Sequence, residues 1–169
     1  MLYEPAEDSF LLQEQVRKYA KGRVLDLGTG TGIQAKTALE KTKNVLATDI
    51  NPEAVNHCKK LGIKAIKSNL FSNIKGKFDL IIFNPPYLPD DNLNLKDDIN
   101  YIGGKKGSET LEKFFSQAKK HLNKNGKILI VFSSLTPNVN KIIKKYNFRF
   151  KKLSVQKFFF EKLFVYLIY

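Results

Sequence analysis

The segment that most constrains the fold is Arg23-Val24-Leu25-Asp26-Leu27, which runs straight into Gly28-Thr29-Gly30-Thr31-Gly32. A helix is expected next, from Ile33 to about Lys41. Apolar strand, glycine loop and helix together are the context in which such a loop holds a ligand rather than merely turning the chain. A second strand is expected from Asn44 to Ile50, and it carries the carboxylate of Asp49. The spacing of Asp49 from the loop suits a group that accepts hydrogen bonds from ribose hydroxyls. These pieces read as a βαβ nucleoside-binding unit.

Two cofactor classes use such a unit. A dinucleotide loop would place a third glycine where this chain has Ile33, closing G-x-G-x-x-G around a pyrophosphate. Here the glycines fall at every second position, with Asp26 just before them. A carboxylate there repels a pyrophosphate but can hold an ammonium. S-adenosyl-L-methionine carries an ammonium and no phosphate, so the loop favours that cofactor.

The rest of the chain continues the alternation. A helix is expected from Pro52 to Leu61 and a third strand over Ile63 to Ser68, followed by Asn69 and Leu70. A fourth strand, Phe78 to Phe83, ends in Asn84-Pro85-Pro86-Tyr87. Later helices are expected over Ser108 to Leu122 and Pro137 to Tyr146. Later strands are expected over Lys127 to Phe132, Phe148 to Val155 and Glu161 to Tyr169. Alternating strands and helices imply an α/β fold, a mostly parallel sheet covered on both faces. In open sheets of this kind ligands sit beyond the carboxyl ends of the strands. Gly28, Asp49, Asn69 and Asn84 all fall at such ends.

The turn at Asn84 is chemically particular. Pro85 and Pro86 fix two successive φ angles and donate no hydrogen bond, so the turn is stiff. The Asn84 side-chain oxygen and the nearby carbonyls are left as acceptors beside the Tyr87 ring. Such a cluster suits a planar group bearing NH2. Read more plainly, Asn-Pro and Pro-Pro are also ordinary loop punctuation.

Composition limits the classes. The 169 residues, 43% of them hydrophobic, suffice for one domain with a full core, and no apolar run approaches a membrane span. The single cysteine, Cys58, excludes an internal disulfide and is expected at a half-buried helical position in a reducing cytoplasm. No basic leader is read at the N-terminus. His57 and His121 have no metal-ligand partners in the pattern. The net charge of +13 invites an RNA contact, yet the lysines are spread along the chain and equally suit a solvated surface. The polar stretch 89–107 is long enough to be a substrate loop or a solvated one. Phe158, Phe159 and Phe160 are expected to fill a core or sheet corner. Residues 1–21 read as a segment with a helix beginning near Pro5, its apolar spacing running through Phe10, Leu11, Leu12, Val16 and Tyr19.

Tyr3-Glu4-Pro5-Ala6-Glu7-Asp8-Ser9, the Asp26 to Gly32 loop, Thr48 to Ala54 and Asn84-Pro85-Pro86-Tyr87 together resemble a Rossmann-like class I methyltransferase. More closely they resemble the HemK-related glutamine methyltransferases of translation release factors, in their archaeal and eukaryotic branch. The resemblance spans nearly the whole chain. It implies a seven-stranded sheet in a single methyltransferase domain over 1–169, with residues 1–21 contributing to the cofactor site. It assigns Ser9, Asp26, Gly28, Thr29, Gly30, Asp49, Ile50, Asn69 and Leu70 to S-adenosyl-L-methionine, with Asn84 in contact as well. Asp26 would hold the amino-acid end, Asp49 the ribose and Asn69-Leu70 the adenine edge. The family usually has aspartate where this chain has Asn69; an amide keeps the acceptor oxygen without the charge, which implies weaker adenine binding. Asn84, Pro85, Pro86 and Tyr87 would form the catalytic turn, acting on the side-chain amide of a glutamine. The edge strand Ile63 to Ser68 would receive a small zinc-binding activator protein. Methylation of an exocyclic amino group on RNA or DNA, methylation of a protein lysine, and non-catalytic binding are the alternative readings.

Overall fold

A computed structural model describes residues 2, 4–86 and 108–169. Tyr87 and the 89–107 stretch lie outside these described residues. Helix α1 spans Glu7–Tyr19 and strand β1 Val24–Leu27, followed by α2 (Ile33–Leu39), β2 (Val45–Asp49), α3 (Pro52–Lys60) and β3 (Ala65–Lys67). Then come β4 (Phe78–Phe83), α4 (Glu109–Ala118), β5 (Leu122–Ser133), α5 (Val139–Lys145), β6 (Phe150–Lys157) and β7 (Lys162–Ile168). The seven strands form one sheet in the order β3-β2-β1-β4-β5-β7-β6. The first five are parallel, and β7 runs antiparallel to both β5 and β6.

Alternation along the central strands builds a core on each face. Ile81 and Phe83 of β4, with Ile128 and Ile130 of β5, join Phe114 and Phe115 of α4 on one side. Leu80 and Ile82, with Leu129 and Val131, join Leu12 and Val16 of α1 on the other. Burial on both faces is why these strands read as continuous apolar runs rather than alternating ones. The order also sets where a ligand can enter. β2 and β3 extend to one side of β1 and β4 to the other, so the chain reverses direction across the sheet at the β1–β4 pair. Leu27 lies in register with Phe83. The residues that follow them, Gly28 and Asn84, are therefore brought side by side at the switch point.

Several elements differ from the sequence expectation. β3 is shorter than Ile63 to Ser68, because the Ile63 N–H donates to the Cys58 carbonyl at the end of α3 instead of joining the ladder. It remains at the sheet edge as expected. β5 starts five residues earlier than Lys127, passing through a bulge at which Phe78 pairs with Leu122 and Leu80 with Lys127. Phe158, Phe159 and Phe160 fill no core: Phe159 is 93% and Phe160 86% exposed. The turn closes through the Phe158 N–H donating to the Glu161 carbonyl, which places the two rings beyond the end of the sheet. Phe10 is also exposed, whereas Cys58 is fully buried rather than half-buried.

That burial explains the third glycine of the loop. Gly32 has φ +82° at the start of α2, and a Cβ there would lie 2.9 Å from the Cys58 Sγ and 3.1 Å from the Ile63 Cδ1. Gly32→Ala is expected to destabilise the fold by about 2–4 kcal/mol, combining left-handed strain with overpacking. A denaturant midpoint measured beside the parent protein checks this.

Candidate functional site

The glycine loop is held from two sides. The Gly28 and Thr29 N–H groups donate to the Thr48 carbonyl at 2.8 and 2.9 Å, fastening the loop to β2. At the end of β2, Asp49 accepts from the Gly30 N–H through Oδ2 and from the Asn51 N–H through Oδ1, each at 2.9 Å. Each Asp49 oxygen keeps a lone pair for a further donor. Gly28 has φ +72°, and a Cβ there would meet only the edge of the Phe83 ring at 3.8 Å. Backbone conformation, with open space in front of it, is what requires glycine here.

Asp26 lies beneath the loop and is 2% exposed. Its Oδ2 accepts from the Thr29 hydroxyl at 2.6 Å and from the Ala35 N–H at 3.0 Å. Burial pushes the carboxyl up from its ordinary 3.8 to about 6, against those two hydrogen bonds and with help from the nearby Asp49 charge. A carboxylate raised in this way gains from a cation beside it.

Next to the loop, the Ser68 hydroxyl donates to the Leu70 carbonyl at 2.7 Å, across a backbone that places Leu70 at φ +47°. Ile50 is 53% exposed although apolar. On the far side, Asn84 extends its Nδ2 to Asp8 Oδ2 at 3.0 Å. Its Oδ1 is buried and has no hydrogen-bond partner among the described residues.

Every described residue of the expected site lines one cavity of about 270 Å³: Ser9, Asp26, Gly28, Thr29, Gly30, Asp49, Ile50, Asn69, Leu70, Asn84, Pro85 and Pro86. Tyr87 lies outside the described residues. Sequence reasoning missed Asp8, Gln34, Thr110 and Lys113, which line it too. Asp8 stands in the Tyr3 to Ser9 segment without a role of its own, and Gln34 falls inside the helix expected from Ile33, where neither carries a ligand signal alone. Thr110 and Lys113 stand three residues apart on α4, a spacing that carries no ligand signal alone.

The lining decides between ligand classes. Apart from Asp8, whose carboxylate is engaged by Asn84 and Ser9, Asp26 and Asp49 face a single described cation, Lys113, in a chain of net charge +13. Gln34 is 4% exposed, and its Oε1 is a second buried acceptor without a described partner. A surplus of acceptors and negative charge opposes a polyphosphate and suits a ligand bearing an ammonium. The donor in class I methyltransferase folds is S-adenosyl-L-methionine, and this lining fits it.

The methyltransferase small-domain family matches residues 6–159. The chain belongs to that family. A curated relative from Methanocaldococcus jannaschii, provisionally named a protein N5-glutamine methyltransferase, is 37% identical over 177 residues, covering 97% of this chain and 89% of the relative. Ribosomal RNA small subunit methyltransferase C of Haemophilus influenzae is 33% identical over 135 residues, covering 75% of this chain but only 37% of its own length. Among solved structures, the E. cuniculi Mtq2–Trm112 complex, responsible for methylation of the eRF1 translation termination factor, aligns with a TM-score of 0.81. That alignment has 25% identity and covers 99% of this chain and 97% of the neighbour. The methyltransferase fold expected from the sequence, with its seven-stranded and mostly parallel sheet, is the fold observed.

Proposed function

We propose that this methyltransferase modifies the side-chain amide nitrogen of a protein glutamine, the one in the Gly-Gly-Gln motif of a translation release factor. The observation that carries the reading is the buried Oδ1 of Asn84, without a partner among the described residues, on a turn stiffened by two prolines. A buried acceptor left unpaired costs about 1–3 kcal/mol, so a ligand N–H gains by meeting it. The archaeal relative and the E. cuniculi neighbour support the same reading.

When bound, S-adenosyl-L-methionine supplies an electrophilic sulfonium methyl. Asp26 and Gln34 would hold its ammonium, Asp49 its ribose hydroxyls, and Ile50, Asn69 and Leu70 the adenine, with Ser9 and the Gly28, Thr29 and Gly30 backbone forming the wall. A glutamine amide is a poor nucleophile because its lone pair is delocalised into its carbonyl. Asn84 Oδ1 and the Pro85 carbonyl each accept one N–H of that amide, which orients the nitrogen and returns electron density to it. Tyr87, outside the described residues, is assigned to packing against the amide plane. The edge strand β3 is the place for a small zinc-binding activator, because Ala65 to Lys67 pair with β2 on one side only. No described helix is long and apolar enough to cross a membrane, and the cytoplasm is the proposed compartment.

A second reading, methylation of an exocyclic amino group in RNA, draws on the +13 charge and the ribosomal RNA methyltransferase relative. Tritiated S-adenosyl-L-methionine separates the two. Release factor and bulk RNA are offered in parallel, each with and without the activator. Label in the release factor that vanishes when its Gly-Gly-Gln glutamine is replaced is the expected result. Label confined to RNA would reassign the substrate.

A further inference from the structure

Asp8 belongs to the start of α1, yet it reaches the acceptor turn 76 residues away. Asn84 donates to it through Nδ2, while the other oxygen of Asp8 accepts from the backbone N–H and the hydroxyl of Ser9. A carboxylate accepts and does not donate, whereas an asparagine amide has a donor end and an acceptor end of nearly the same shape. The Asn84 NH2 must therefore turn towards Asp8, which sends Oδ1 to the other side.

We propose that Asp8 is a positioning residue that locks the Asn84 amide with its oxygen turned away from Asp8, so that a substrate N–H meets an acceptor and never a second NH2. This rests on Asn84 acting on an N–H-bearing substrate, as proposed above. The lock is itself held firmly. Asp8 is 3% exposed. Gln34 Nε2 donates to the Ser9 carbonyl at 2.8 Å. Gln13 reaches Thr37 at 2.9 Å and Gln15 reaches Ser154 at 2.8 Å, fastening α1 to α2 and to β6. The position of the Asn84 amide is thus set through the same helix, α2, that starts at the glycine loop. A flipped amide would oppose donor to donor and lose the hydrogen bond that orients the substrate.

An isosteric exchange tests the lock. Asp8→Asn keeps the shape but lets either end of the Asn84 amide find a partner. Turnover on the accepted substrate is expected to fall about tenfold to hundredfold, with the Kd for S-adenosylhomocysteine within about threefold of the parent. Asn84→Asp alone sets two carboxylates against each other and also loses activity. Combining Asp8→Asn with Asn84→Asp again faces a donor with an acceptor-only group and leaves an oxygen for the substrate. The double variant is expected to exceed both single variants in kcat, whereas a purely structural role would make the losses add. Proton exchange of the Asn84 side-chain NH2, followed by NMR without substrate, is expected to be slow in the parent and fast in Asp8→Asn. Unchanged turnover and exchange in Asp8→Asn, a parallel loss of cofactor affinity, or a double variant no better than the singles would overturn the lock. A parent protein that labels no N–H substrate would overturn the proposed function instead, while the NMR exchange would still report on the lock.

Discussion

Asn84→Ala is expected to abolish measurable turnover while leaving cofactor binding nearly intact. The variant removes the oxygen that meets the substrate N–H and leaves Pro85 and Pro86 to keep the turn in place. Loss of one preorganised hydrogen bond at a reacting group commonly costs about 100- to 1,000-fold in kcat. Loss of the amide relieves one buried acceptor that has no described partner but strands the buried Asp8 carboxylate that its Nδ2 meets at 3.0 Å, so the ligand-free protein is expected to lose about 1–2 kcal/mol. Single-turnover methyl transfer, cofactor calorimetry and a melting curve on one preparation give the three readouts. Parallel loss of cofactor affinity and turnover would place Asn84 in cofactor binding rather than substrate orientation. Failure of the variant to fold would make it a structural residue.

The second large effect belongs to Asp26. Its carboxyl is raised to about 6 chiefly by burial, so the folded state disfavours the charged form. Between about pH 4 and pH 6 the folded protein holds this proton more tightly than the unfolded chain does. Stability from this group therefore increases as pH falls through that window and is lost as pH rises through 6. Moving the carboxyl from 3.8 to about 6 corresponds to about 3 kcal/mol at neutral pH. Cofactor binding runs the other way. An ammonium needs the carboxylate, so affinity is expected to weaken as pH drops below about 6. Asp26→Asn should raise the ligand-free Tm at pH 7.5, because the amide oxygen can still accept from Thr29 and Ala35 without burying a charge. The same change should weaken S-adenosylhomocysteine binding by about 100-fold or more, as expected when a buried ion pair loses one charge. Both pH dependences should vanish in the variant. Calorimetric titrations and melts from pH 5 to 8 test this, and unchanged affinity would remove Asp26 from the ammonium site.

Much of the architecture was legible because its signals are local. The Phe78–Phe83 strand was bounded correctly, since five apolar residues, interrupted only by Asp79, run between a charged stretch and two prolines. The glycine loop announced itself through backbone requirements that no other residue meets. Where the reading failed, tertiary contact overrode local character. Asn123 to Gly126 looks like a turn but continues β5, because a bulge against Phe78 absorbs the extra residues; a Cβ on Gly126 would lie 2.7 Å from the Phe78 carbonyl oxygen. Phe158 to Phe160 look like core, yet a hairpin closing at Phe158 and Glu161 leaves nothing above its tip.

The candidate site divides along the same line. From residue type and strand-end position alone came the α/β class, the carboxylates of Asp26 and Asp49, the acceptor character of Asn84 and the preference for a cofactor without phosphate. These follow from what each side chain can donate, accept or repel, wherever the chain happens to place it. Only the tertiary structure decided that Gly28 and Asn84 meet at one switch point, that Gln34 and Lys113 join the cavity, and that Asp8 rather than solvent holds the Asn84 amide. Those outcomes depend on pairings across tens of residues, set by sheet order and by which helix face is buried, and spacing along the chain encodes neither.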